Sequence, residues 1–216
     1  MKFIKTILLL VIPFILSSQE SFPNDGVKST FSPIYAFVNS HIIVSSSNKI
    51  YNASLLIQDD KIIDVGMNIF IPDGAIIIDL KGDFIYPSFI DLYSNYGVPK
   101  PKKGEYSLRP QYKSNKQGAY HWNESIHPEV NASESFSYNE KQANEYLNNG
   151  FGIVLTNNMD GISRGTACLV SLSDQLEQKS ILNPTTASIF SFKKGVSSQK
   201  YPTSLMGSIA LLNQLF

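Results

Sequence analysis

The chain has 216 residues, 43% of them hydrophobic, with 18 Lys plus Arg set against 18 Asp plus Glu. Such a chain buries a core, which excludes a disordered polar tract, and its zero formal charge removes the long-range field that draws proteins to nucleic acid. No stripe of Lys and Arg interleaved with aromatics occurs in the sequence, so no nucleic-acid partner is expected.

In chain order, MKFIKTILLLVIPFILSSQE comes first. Lys2 and Lys5 precede an apolar run from Ile7 to Leu16, and Ser17, Ser18 and Gln19 follow it. That is the order of a secretory signal peptide, assigned to residues 1–19. The run falls short of the ~20 apolar residues that cross a bilayer. No cysteine stands near its end to accept lipid. The expected product is exported, periplasmic or secreted, without stable membrane insertion once the signal is removed. Residues 20–33, with Ser, Pro, Asn and Gly, read as a linker.

Residues 34–86 read as a small all-β unit. YAFVNSHIIVSS alternates like a strand, and ASLLIQDDKIIDVG gives two apolar runs around Asp59-Asp60, the pattern of a hairpin that Gly66 ends. AIIIDLKGDFIYPSFIDL adds a β-branched run, a tight turn at Lys81-Gly82-Asp83 and a second run broken by Pro87. FIDLYSNYG then reads as a buried strand entering a glycine turn.

From residue 98 to 135 the chain turns to Pro, Lys, Asn, Ser and Tyr without sustained period, which predicts a long surface loop. A helical pattern begins at Asn139, with Ala143, Tyr146 and Leu147 on one face and Gly150 just past its end. GIVLT follows as a buried strand, the helix-then-strand rhythm of a parallel sheet, and TACLVSL and TASIFSF are further strand candidates. Pro202 suits the first turn of a last helix, on which Leu205, Ile209, Leu212 and Phe216 form the stripe that packs on a neighbour. The single cysteine, Cys168, excludes an internal disulfide and a Cys-rich zinc site, and its apolar setting predicts a buried, inert thiol.

LLIQDDKIIDVG, IPDGAIIIDLKGDFIYP and FIDLYSNYG together resemble the N-terminal part of the amidohydrolase superfamily, near its imidazolonepropionase-like and dihydroorotase-like members. GAYHWNESIHPE, DGISRGTACLVSL and SFKKGVSSQKYPTSLMGSIALLNQ are similar to a narrower, exported group of amidohydrolase-like proteins. The resemblance implies an α/β fold: a small N-terminal β-sandwich unit over 34–86, then a (β/α)8 TIM-type barrel from 87 onward. A complete barrel takes about 250 residues. Residues 87–216 are therefore expected to be its first part only, carrying the loop at 98–135.

The resemblance also implies a divalent metal, usually zinc, gripped by a His-x-His pair at the end of the first barrel strand. The metal-bound water would attack a non-peptide C–N bond. Aligned on Pro87, Phe89, Ile90, Asp91 and Gly97, those two places hold Tyr93 and Asn95. Side chains two apart on a strand share a face, so the pair is expected side by side at the rim. A phenol with a pKa of about 10 must ionise before it binds a metal, and a carboxamide oxygen is a weak donor beside imidazole. No catalytic, cofactor-binding or metal residue is therefore assigned, no cofactor is expected in this chain, and the chain alone is expected to be inactive.

Other polar residues have bland and sharper readings. His41 sits within the first strand and needs no role. His121, Glu124, His127 and Glu129 could form a substitute metal set, although zinc ligands usually come at tighter spacings on ordered elements. Arg164, in the turn DGISRG, could clamp a carboxylate or be held by local carbonyls. Two other classes of function stay open. One is a non-catalytic module partnered by the remainder of the barrel or by a downstream amidohydrolase-like unit. The other is a periplasmic ligand-binding protein that uses Tyr93, Tyr96, Tyr106, Tyr112, Tyr120, Trp122, Phe136 and Tyr138.

Overall fold

The computed structural model describes residues 32–103, 113–173 and 177–216. The signal peptide, nearly all of the linker and residues 104–112 of the predicted loop lie outside them. Among the described residues no helix is long and apolar enough to cross a membrane. The chain divides into two compact units between Tyr86 and Pro87, each built on one open sheet with few helices overall.

In the first unit, β1 (Tyr35–Ile43), β2 (Lys49–Gln58) and β3 (Lys61–Gly66) form an antiparallel meander. Asp59 and Asp60 make the β2–β3 turn with left-handed φ of 50° and 60°, the two-residue turn whose twist matches that of the strands it joins. β4 (Ile76–Asp79) and β5 (Phe84–Ile85) both run parallel to β1, along its other edge.

The Lys81-Gly82 turn thus does not fold one strand back on the other. It steps over the bulge in β1 at Asn39, whose carbonyl accepts from Gly82 N at 2.7 Å and whose Nδ2 donates to Asp79 Oδ1 at 2.9 Å. Ile42, Ala53 and Leu55 form the core, with Phe37, Ile50, Ile57 and Ile85 against them. Among the described residues this unit is one layer, where the sequence reading expected a sandwich. Its uncovered apolar side chains, Ile62, Phe70 and Ile77 among them, are correspondingly exposed.

The second unit contains β6 (Phe89–Ser94), α1 (Ala132–Ser135), α2 (Glu140–Asn148), β7 (Phe151–Thr156), β8 (Ser163–Ser171), α3 (Glu177–Ser180), β9 (Ile181–Phe190) and α4 (Leu205–Leu215). The strands lie in the order β6-β7-β8-β9. β6 and β7 are parallel, with α2 in their crossover. Asn139 caps α2 by accepting from Gln142 N, and Gly150, at φ 83°, closes it. Ala143 is buried as expected, but Leu147 faces solvent.

The predicted parallel rhythm then breaks, because β8 returns antiparallel to β7 and β9 antiparallel to β8. The connection 157–162 explains this. A parallel crossover takes about a dozen or more residues, whereas a short link can only reverse the chain.

β6, predicted to be buried, has Phe89, Ile90, Leu92 and Tyr93 exposed, because among the described residues it has a strand neighbour on one side only. The predicted surface loop is packed in its described part: Ile126 is fully buried and Asn123 and Ser125 nearly so. Ile126 and Asn131 pair with Ser163 and Thr166 at the start of β8. Gly165 makes that approach possible, since a Cβ there would stand 2.0 Å from the Val130 carbonyl oxygen.

The last helix is capped by Ser204, so Pro202 lies before the cap and outside the first turn. Its buried residues are Ser208 and Leu211, with Leu212 and Leu215 packing on Ile126 and Ile162. Leu205, Ile209 and Phe216, three of the four stripe residues, are exposed. Ser208 is tolerated inside because its hydroxyl donates to the carbonyls of Phe192 and Ser204.

Candidate functional site

The carboxyl ends of parallel strands are where open α/β sheets place their chemistry. At that end of β6, Ser94 Oγ accepts from Tyr96 N at 3.0 Å and lies 2.9 Å from the Tyr146 hydroxyl. The Ser94 carbonyl accepts from both the backbone N (2.9 Å) and Nδ2 (3.0 Å) of Asn157. Thr156, the last residue of β7, donates through Oγ1 to the Tyr96 carbonyl at 2.6 Å. The two strand ends are thus laced into a rigid rim. Asn157 is buried, and its Oδ1 has no partner among the described residues.

Tyr93 and Asn95 have different surroundings. The β6–β7 ladder is irregular between Asp91 and Ser94, and the strand ends at Ser94, so the two-residue alternation no longer relates positions 93 and 95. Asn95 lines a cavity of about 560 Å³ between β6 and α2, together with Phe89, Tyr96, Gln142, Glu145 and Phe151. Tyr93 instead accepts a hydrogen bond from Nη1 of Arg164, whose guanidinium carbon lies 6.0 Å from the tyrosine ring centre.

Arg164 is only 5% exposed, whereas Tyr93 is 53% exposed. Arg164 Nε donates to the Gly161 carbonyl at 3.1 Å, and Nη1 also approaches Met159 Sδ at 3.3 Å. The antiparallel return of β8 is what brings this residue here: a strand running the other way begins where β6 and β7 end. The set does not fit a divalent metal. Its phenol is engaged by a permanent cation, which would repel a second one, and its carboxamide lines the cavity beside α2, in which Tyr93 has no part.

The other polar cluster surrounds a cavity of about 350 Å³ lined by Lys102, Lys116, Glu124, His127 and Asp160. Glu124 accepts from Asn115 N (2.9 Å), Ser198 N (2.8 Å) and Ser198 Oγ (2.9 Å). Burial raises its pKa, but these bonds outweigh that and hold the carboxyl below its usual range. Glu129 pairs with Lys116 at 2.9 Å, and the Lys116 bond, opposing burial, keeps it ionised to lower pH.

His127 Nε2 lies 3.6 Å from Asp160 Oδ2, too far for a hydrogen bond, while Asp160 Oδ1 accepts from Val196 N at 2.8 Å. Burial first and Lys116 second push the His127 pKa down, against the pull of Asp160 and Glu129. His121 is elsewhere, with Nδ1 3.1 Å from the Gly118 carbonyl. His121, Glu124, His127 and Glu129 are therefore not assembled as one ligand set. Among the described residues no three His, Cys, Asp or Glu side chains gather to hold a metal ion.

The remaining residues singled out in the sequence fall in packing roles. His41 meets Tyr51 edge-on and Phe84 at a tilt, with ring centres 5.3 and 5.0 Å away, and its Nδ1 accepts from Asn52 N. Cys168 is fully buried, and burial lifts its thiol pKa to about 11. Tyr96 and Phe136 sit in the core, with Tyr138 packed against it, and Tyr120 packs on the α4 cluster; Tyr106 and Tyr112 lie outside the described residues. Asn157 and Asp160 were readable only as turn formers, although polar residues directly after a buried strand are the available signal for a rim.

A solved amidohydrolase from Thermotoga maritima superposes on 83% of this chain at a TM-score of 0.63 with 21% identity. The likeness is one of fold. The chain covers 46% of that protein, about half its length. A second amidohydrolase structure is 27% identical over 29% of this chain and 15% of its own, at a TM-score of 0.27 that bears no weight. No protein-family model and no curated protein matches the chain.

Proposed function

We propose that this chain is the front portion of an exported amidohydrolase-superfamily protein: a unit whose open sheet is one layer of the family's β-sandwich, and the first part of a TIM-type barrel, that do not hydrolyse by themselves. The family reaction is divalent-metal-dependent hydrolysis of non-peptide C–N bonds. The fold likeness and its partial coverage support the kinship, and the order of residues 1–19 supports export. The observation that carries inactivity is the hydrogen bond from Arg164 to Tyr93, which puts a fixed cation on the residue standing at the first ligand place. Zinc content of the purified chain, measured by emission spectroscopy, tests the reading. The expected result is far less than one ion per chain. One tightly bound zinc, lost in Asn95→Ala, would overturn it.

A second reading, a structural module partnered by the rest of the barrel or by a downstream amidohydrolase-like unit, is favoured by β6. Its apolar side chains are exposed and it is paired on one side only among the described residues. Co-expression with the downstream coding segment is expected to give a complex that co-purifies with this chain. Independent elution of the two would count against it.

A further inference from the structure

We propose that Arg164 and Tyr93 form a binding site for a carboxylate at the carboxyl rim of β6 and β7. The inference rests on the reading above that Tyr93 does not ligate a metal.

A guanidinium this deeply buried ordinarily has an anion beside it, because removing a charge from water is costly unless it is paired. Here every acceptor is neutral: the Gly161 carbonyl, the Tyr93 hydroxyl and the Met159 sulfur. Among the described residues no carboxylate lies within 4 Å of Arg164. Asp160, four positions earlier, is turned to other partners, with Oδ1 on Val196 N and Oδ2 facing His127.

The unused donors point to the ligand. Nη2 makes no hydrogen bond among the described residues, and it is not among the unpartnered atoms sealed from solvent. It therefore offers two N–H groups to an incoming acceptor. Tyr93 accepts from Nη1, so its own O–H hydrogen is free to donate, and its half-exposed ring leaves the rim accessible. One N–H of Nη2 and the phenol O–H are two donors on neighbouring groups, one for each oxygen of a planar two-oxygen anion, and a carboxylate is the common ligand of that shape. The carboxylate can come from a small organic acid or from an Asp or Glu of another polypeptide.

The test follows the Arg164 Nε–H resonance in the nitrogen-labelled full chain, treated with chelator, during titration with sodium acetate against sodium chloride at equal ionic strength. The expected result is a saturable shift with acetate alone, weakened about tenfold in Tyr93→Phe, which keeps the guanidinium. A non-saturable shift, the same shift with chloride, or unchanged affinity in Tyr93→Phe would overturn the site. Loss of acetate binding in Arg164→Gln, with the amide spectrum otherwise native, would support it. Tighter binding of a hydroxy-dicarboxylate than of acetate would identify a small acid as the source, and tighter binding of a blocked Asp peptide would identify a polypeptide. Failure in zinc-free protein sinks this site alone, whereas a bound zinc sinks the proposed function.

Discussion

β6 and β8 belong to one sheet and are both rich in apolar residues, yet Leu92 in β6 is 70% exposed and Val170 in β8 is fully buried. The difference is one of neighbours. β8 lies between β7 and β9, and its inner side chains pack with Val98, Ala132 and Val154, whereas among the described residues β6 has β7 alone. Hydrophobic content makes a strand fit to be buried, but only the elements on either side bury it.

The sharpest way to break this contrast is at the start of β8. Gly165→Ala forces a left-handed residue and drives a Cβ into the Val130 carbonyl oxygen. Together these costs are expected to reach about 4 kcal/mol, seen as a thermal transition of the second unit lowered by about 10 °C or more. Within the buried strand, Val170→Ala removes two methyl groups from a closed core and is expected to cost about 2 kcal/mol in urea unfolding.

Acid comes next. His127 is held below its ordinary 6.5, so the unfolded chain binds its proton first; its contribution is complete above about pH 6.5 and is lost as pH falls through the lowered native value. Glu124 and Glu129, held below 4.5, extend the loss at lower pH with the same sign. His127→Gln should flatten the first part of the decline in pH-dependent unfolding and leave the second. The smallest effect is expected at the exposed strand, where Leu92→Ala should change stability by no more than about 0.5 kcal/mol. A cost there as large as at Val170 would show that β6 is covered in solution.

Much of the local structure was legible because it is encoded locally. The Asp59-Asp60 hairpin, the start of a helix at Asn139 and the Gly150 stop each follow from side-chain or backbone chemistry within a few residues. What was not legible depends on distant contacts. The stripe on α4 was assigned from spacing alone, but the face that packs is chosen by Ile126 and Ile162, and it includes a serine. The same holds at the rim. Tyr93 and Asn95 were found by resemblance, and their different surroundings depend on a break in the ladder with β7 that no pattern of residues announces.

Glu124 has a consequence for how the chain comes together. Its carboxylate ties Asn115 to Ser197 and Ser198, and its backbone N donates to Gln199, so it acts as a cross-link without a covalent bond. During synthesis Glu124 emerges well before the serines that saturate it. The middle of the second unit cannot be fastened until the segment leading into the last helix has left the ribosome, so this region locks late, from its carboxyl-terminal side.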